Sequence, residues 1–256
     1  MSSLLAASVA TLVFCAPGYP GAAEDAQPLL DQFTKALVAD SGWPAGSLTS
    51  VYDPTEQGGF ARLRSADAVL AFVPYPFFVE HAAELHLTPL AEADVVDVGP
   101  QQRWSLIAKS GRVASPASLG GFTLLSTAGY APAFVRAALA GWTLPPNVTI
   151  EASGQILSSL RRAAVGEPVA VLLDRTQTAA LAGLPFAGEL KVVTESPELP
   201  VALVAVVDSR LPKGRAATLK EGLLGMAHSP RSAEVLAPLQ LRGFVQPELK
   251  SRPAAP

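Results

Sequence analysis

Short apolar blocks of two kinds take turns along this chain. Ala10 to Cys15, Ala68 to Val73, Val169 to Leu173 and Val201 to Val207 are near-continuous apolar runs. Their length suits strands covered on both faces. Between them lie stretches with helical spacing. Leu29, Leu30, Phe33, Ala36 and Leu37 share one face of a helix predicted over Ala22 to Val38. Glu24 and Asp25 fall in its first turn, where the helix dipole favours negative charge. Further helices are predicted over Thr55 to Arg64, Phe77 to Leu85, the stretch after Gln155 to Ala164, Thr176 to Ala182, Gly214 to His228 and Ser232 to Leu239. Shorter strands are predicted at 50–52, 88–98, 103–108, 121–125, 149–151 and 190–193, with a polar, loose end after Leu239. Strand and helix in alternation predict an α/β fold.

One junction in this pattern carries chemistry. The run Gly121 to Leu125 leads through Ser126-Thr127-Ala128-Gly129-Tyr130 to a helical stretch, Ala133 to Leu139. The first amides of a helix have no internal partner and carry partial positive charge, so two hydroxyls beside them can build an anion site. A helix cap by Ser126 or Thr127 explains the same residues. The position of the tyrosines bears on the choice. Three of the four, Tyr19, Tyr75 and Tyr130, fall in turns that end an apolar strand and open a helix. Ligands of open α/β sheets bind outside the carboxyl ends of the strands.

Composition removes several function classes. Of the 256 residues, 49% are hydrophobic, yet no run reaches the ~18 uninterrupted apolar residues of a membrane span. A net charge of −3 with interspersed signs argues against a nucleic-acid surface. A single cysteine, Cys15, permits neither an internal disulfide nor a cysteine zinc site, and His81 and His86 are spaced wrongly for one helix face. No metal or cofactor is expected. The apolar stretch Leu4 to Cys15 is long enough for a signal-peptide core, but no basic residue precedes it. A first buried strand over Ala10 to Cys15 is the preferred reading, and Cys15 is then a small buried hydrophobe.

From Leu119 to Val245 the chain resembles the substrate-binding proteins of phosphate and phosphonate ABC importers, which are type II periplasmic binding proteins. The stretches that carry the resemblance are Ser118 to Thr123 with Ser126 to Tyr130, Leu160 to Glu167, Ala170 to Asp174, Val192 to Pro197, and Leu241-Arg242-Gly243-Phe244-Val245. It implies two α/β lobes, each a mainly parallel sheet flanked by helices, joined by two crossing segments. Lobe 1 would comprise 1–98 with 197–256, and lobe 2 would comprise 99–196. In that family a Ser-Thr-Ser-Gly-Tyr turn holds the phosphonate oxygens. Ser126, Thr127, Gly129 and Tyr130 match it, and Ala128 stands where the last serine would be. Asp174 matches the acidic residue after the fifth strand, and Gly154-Gln155 stands where the family often has His-Asp. One oxyanion donor and one acceptor for a cationic group are therefore altered.

The expected ligand residues are Tyr19, Tyr75, Ser126, Thr127, Gly129, Tyr130, Gln155 and Asp174. Asp174 also suits a cap for the helix after it, and Arg175 is either an oxyanion partner or a solvated charge. Trp43, Trp104 and Trp142 read as packing anchors. No Gly-x-Ser-x-Gly elbow, phosphate loop or obvious pair of cleft carboxylates is present. The sequence points to a non-enzymatic, monomeric solute-binding protein of the periplasm or cell envelope. It would clamp a small anionic or zwitterionic ligand between its lobes for an ABC permease or a membrane sensor. An enzyme on the same fold, or an interaction module with a degenerate cleft, are the alternatives.

Overall fold

The structure, a computed structural model, describes residues 9–18, 23–207, 210–211 and 214–248. Its elements in chain order begin with β1 (Ala10–Cys15), α1 (Ala23–Asp40), β2 (Leu48–Asp53), α2 (Glu56–Leu63), β3 (Ala68–Pro74), α3 (Tyr75–His81), β4 (Leu87–Val95), β5 (Gln101–Gln102) and β6 (Ser105–Lys109). Next come β7 (Thr123–Ser126), α4 (Pro132–Ala138), β8 (Thr149–Ala152), α5 (Ile156–Ala164), β9 (Val169–Leu173), α6 (Arg175–Leu181) and β10 (Leu190–Glu195). The chain closes with β11 (Leu199–Pro200), β12 (Ala202–Val207), α7 (Arg215–Gly225), α8 (Pro230–Leu236) and β13 (Leu241–Val245). Among the described residues, no helix is long and apolar enough to cross a membrane.

The chain divides into two compact units. Unit 1 is Met1–Pro74, His81–Val96 and Ala202–Glu248, and unit 2 is Tyr75–Glu80, Asp97–Val201 and Leu249–Pro256. Unit 1 is built on a six-stranded sheet in the order β13-β4-β12-β3-β1-β2. The expected parallel pairing holds where β1 lies between β2 and β3. The other half is antiparallel: β12 separates β3 from β4, and β13 completes the edge beside β4. Phe14, Phe33, Phe72 and Phe244 form one aromatic cluster in its core, with ring centroids 5.4 to 6.2 Å apart. The helical face read from the sequence is buried in the same core through Leu30, Phe33, Ala36 and Leu37.

Two glycines let α2 approach the strand ends. A side chain at Gly58 would collide with the Asp53 carboxylate, and one at Gly59 with Cys15 Sγ. Cys15 is buried, its thiol donates to the Thr55 carbonyl at 3.4 Å, and burial pushes its pKa up, as suits a small hydrophobe. Trp43 is an anchor: its indole N–H donates to Thr218 Oγ1 at 3.0 Å, and the Arg215 guanidinium lies 4.9 Å from the ring centroid.

Unit 2 carries a five-stranded sheet in the order β10-β6-β9-β7-β8. Here too one half is parallel, with β7 between β8 and β9, while β6 and β10 run antiparallel. α5 buries Leu160, Ala163 and Ala164 against Ile107, Leu125, Val171 and Leu173 of the sheet. The short strands β5 and β11 pair antiparallel.

Candidate functional site

Because β9, β7 and β8 run parallel side by side, their carboxyl ends lie on one edge of the unit 2 sheet. Ser126 is in register with Ala152, and Leu125 with Val171. Each end runs into a turn and a helix: Thr127 to Ala131 before α4, Ser153 to Gln155 before α5, and Asp174 before α6. The edge therefore brings together the turn motif, Gln155 and Asp174, which are far apart in sequence.

Ser126 ties these ends to one another. It is fully buried, its hydroxyl donates to the Leu172 carbonyl at 2.8 Å, and the same oxygen accepts from Ala128 N–H at 3.1 Å. Its carbonyl accepts from Gly129 N–H at 3.1 Å and Ser153 N–H at 2.8 Å. This corrects the capping reading of Ser126 and Thr127. The N-cap of α4 is Ala131, which makes no side-chain bond, and the helix begins only at Pro132. An early amide of that helix, Ala133 N–H, donates instead to Glu80 Oε2 of α3 at 2.8 Å.

The surface of the turn falls to other residues. Thr127 is half-buried, and among the described residues its hydroxyl has no partner. Gly129 is buried, and a Cβ there would collide with the Glu151 carbonyl, so the turn lies directly on the end of β8. Ala128 places a buried methyl where a serine would offer a hydroxyl. Tyr130 is half-buried. Tyr75 is buried, with its ring stacked on Phe78 and edge-on to Phe134 of α4 at 6.0 Å. Trp104 meets Phe134 edge-on at 5.1 Å, which realises its anchor role. Tyr19 lies outside the described residues.

Gln155 is exposed at the start of α5, and among the described residues its carboxamide makes no hydrogen bond. Its backbone is held by Ser153 and Ser159, whose hydroxyls accept from Gln155 N–H at 3.2 Å and donate to Gln155 O at 3.0 Å. Asp174 realises its capping reading in full. Its carboxylate accepts from Gln177 N–H at 2.8 Å, and the Gln177 side chain accepts from Asp174 N–H at 3.2 Å. Burial raises the Asp174 pKa above the usual carboxylate value, and the amides of Gln177 and Thr176 partly oppose the shift. The Arg175 guanidinium donates to the Val98 carbonyl at 2.8 Å.

The edge thus offers an unengaged hydroxyl, a free carboxamide and a tyrosine-bearing turn, with the carboxylates of Glu80 and Asp174 close by in the fold. Sequence reasoning missed Glu80. Its position on a helix was legible, but nothing local ties residue 80 to residue 133. Among the described residues, no group of three or more potential metal-ligating side chains could hold an ion.

No family model and no curated protein sequence matches the chain. Solved structures do. XAC2383 from Xanthomonas citri, bound to chloride ion, aligns with a TM-score of 0.69 at 14% identity over 94% of this chain and 92% of that one. The binding protein component of an ABC phosphonate transporter from Pseudomonas aeruginosa aligns with a TM-score of 0.59 at 14% identity, over 93% and 82%. PhnD1 from Prochlorococcus marinus, in complex with methylphosphonate, gives 0.59 at 14% identity over 95% and 94%. Likeness at this identity shows the fold. The chain has the two-lobed α/β fold of the type II periplasmic binding proteins.

Proposed function

We propose that this chain is a non-enzymatic solute-binding protein that takes a small anionic or zwitterionic molecule at the strand-end edge of unit 2. The observation that carries the proposal is the unengaged Thr127 hydroxyl on a turn whose own framework is already satisfied through Ser126. Gln155 and Tyr130 are the side chains assigned to the ligand beside it, and Gly129 lets the turn lie close on β8. Tyr75, assigned to the ligand from its place in a strand-end turn, would wall the site.

The charge at the edge narrows the ligand class. Glu80 already supplies an anion to an α4 amide, and Asp174 adds a second carboxylate. Like charges at close range oppose a dianion in a partly buried site. A zwitterion or monoanion suits the edge better than a free dianionic phosphonate. Proteins of the same fold include phosphonate and amino-acid binders, which supports a small polar solute. By the same analogy, the loaded protein would work in the periplasm and hand its ligand to an ABC permease or a membrane sensor.

Thermal-shift titration against phosphate, phosphonates, sulfate, carboxylates and their aminated counterparts tests this. Saturable stabilisation without turnover is expected, strongest for aminated compounds. Product formation from any of them would overturn the binding-protein reading, and silence across the panel would favour an interaction module.

A further inference from the structure

The outer edge of β2 in unit 1 also leaves hydrogen-bonding groups unmet among the described residues. Among the described residues, β2 is the last strand of its sheet and pairs only with β1. Ala10 N–H donates to Ser47 O and Ala16 N–H to Asp53 O, so odd-numbered residues of β2 face β1. Leu48, Ser50 and Tyr52 therefore turn their backbone groups outward. Part of this edge is closed by α1. The Gln27 carboxamide donates to Ser50 O at 3.0 Å and accepts from Tyr52 N–H at 3.2 Å, the pair of bonds a neighbouring strand would make. Asp31 holds both Gln27, at 2.8 Å, and the Ser50 hydroxyl.

One step along, at Leu48 C=O and Ser50 N–H, no side chain of the described residues does this. There a groove of about 460 Å³ opens between α1 and the strand, with Thr34, Lys35, Val38, Trp43, Leu48 and Ser50 among its walls. Thr34 is 98% buried, and among the described residues its hydroxyl has no hydrogen-bond partner. Such a group costs free energy until something pairs with it. Lys35 is exposed, and among the described residues its ammonium has no partner, whereas Asp31 is engaged.

We propose that this groove docks an extended peptide segment of a partner protein, taken up as an added strand on β2. An extended backbone presents C=O and N–H at the spacing of the open rung, as in other strand-addition complexes. Its apolar side chain packs on Val38, Trp43 and Leu48, a polar group reaches the Thr34 hydroxyl, and a carboxylate meets Lys35. The site lies wholly within unit 1 and uses none of the residues assigned to the solute, so either proposal can fail alone.

The test is an array of short, end-blocked peptides built from Val, Thr, Glu and Lys, read by fluorescence anisotropy with the whole chain. Glu-bearing members should bind and Lys-bearing members should not, and binding should protect the Ser50 amide from hydrogen exchange. N-methylation of the central peptide bond should abolish binding. Thr34→Val and Lys35→Glu should each weaken it about fivefold, the equilibrium consequence of one lost hydrogen bond or ion pair. Thr34→Val should melt no lower than the parent, since it removes an unpaired buried hydroxyl. The proposal is overturned if no member binds, if N-methylation or both substitutions leave affinity unchanged, if small carboxylates compete as well as peptides, or if sedimentation shows that the edge pairs with a second copy of this chain.

Discussion

After β9, Asp174 turns its carboxylate onto the Gln177 amide and Gln177 returns the bond to the Asp174 amide, so the junction satisfies itself. After β7, the N-cap Ala131 offers α4 no side-chain bond, and Ala133 N–H is met from another helix by Glu80. Both junctions join a parallel strand to a helix on the same edge of the same sheet. The capping box commits Asp174 Oδ1 and Gln177 Oε1 to the junction itself. The β7 turn spends its serine on the framework and keeps a threonine hydroxyl over. The difference separates a junction whose polar side chains bond each other from one whose threonine hydroxyl bonds nothing among the described residues.

Of the substitutions at the two junctions, Gly129→Ala should cost the most. Gly129→Ala drives a methyl into the Glu151 carbonyl, and backbone cannot yield as a flexible side chain does. A loss of about 3 kcal/mol is expected by denaturant titration. A loss under ~0.5 kcal/mol would mean that the turn does not lie on β8. Ser126→Ala comes next. It strands a buried carbonyl at Leu172 and a buried amide at Ala128, which should cost about 2 kcal/mol even without ligand. A stable variant with weakened ligand binding would return Ser126 to the ligand.

The β9 junction should respond more mildly. Asp174→Ala removes a cap and should cost about 1 kcal/mol, whereas Asp174→Asn keeps an accepting oxygen and should cost a few tenths or less. The two differ in pH dependence as well. The folded-state pKa of Asp174 is raised, chiefly by burial. Its stabilising contribution is thus fully present below the ordinary carboxylate value of about 3.9 and is lost as pH rises through the raised folded value. Relative to the parent, Asp174→Asn should gain stability as pH rises across that window. A parallel pair of pH profiles would contradict the assignment. Smallest in stability should be Thr127→Val, within ~0.5 kcal/mol of the parent, because the hydroxyl it removes bonds nothing among the described residues.

Much of this edge was legible in the sequence. The apolar run Val169 to Leu173 became β9 without adjustment, and the helix after Gln155 ends at Ala164 as its spacing implied. Motifs placed at strand ends met because parallel strands align their carboxyl ends. What was illegible is tertiary. A free serine before a helix looks like a cap, and only the approach of Leu172 shows that its hydroxyl is spent inside the sheet. Glu80 acts on a helix start 53 residues away. The end predicted loose after Leu239 holds β13, an edge strand in which Gly243 is required because a side chain there would strike Ala227. Its Arg242 and Gly243 hide the apolar alternation that marks the inner strands.

Whether the ligand rests on the β7 turn is decided by one substitution at Thr127. The compound that most stabilises the parent chain should be titrated calorimetrically into the parent and into Thr127→Val. Saturable binding to the parent, binding weakened about tenfold in the variant, and equal melting temperatures of the two free proteins are expected. Equal affinity for both proteins would contradict this and place the ligand elsewhere.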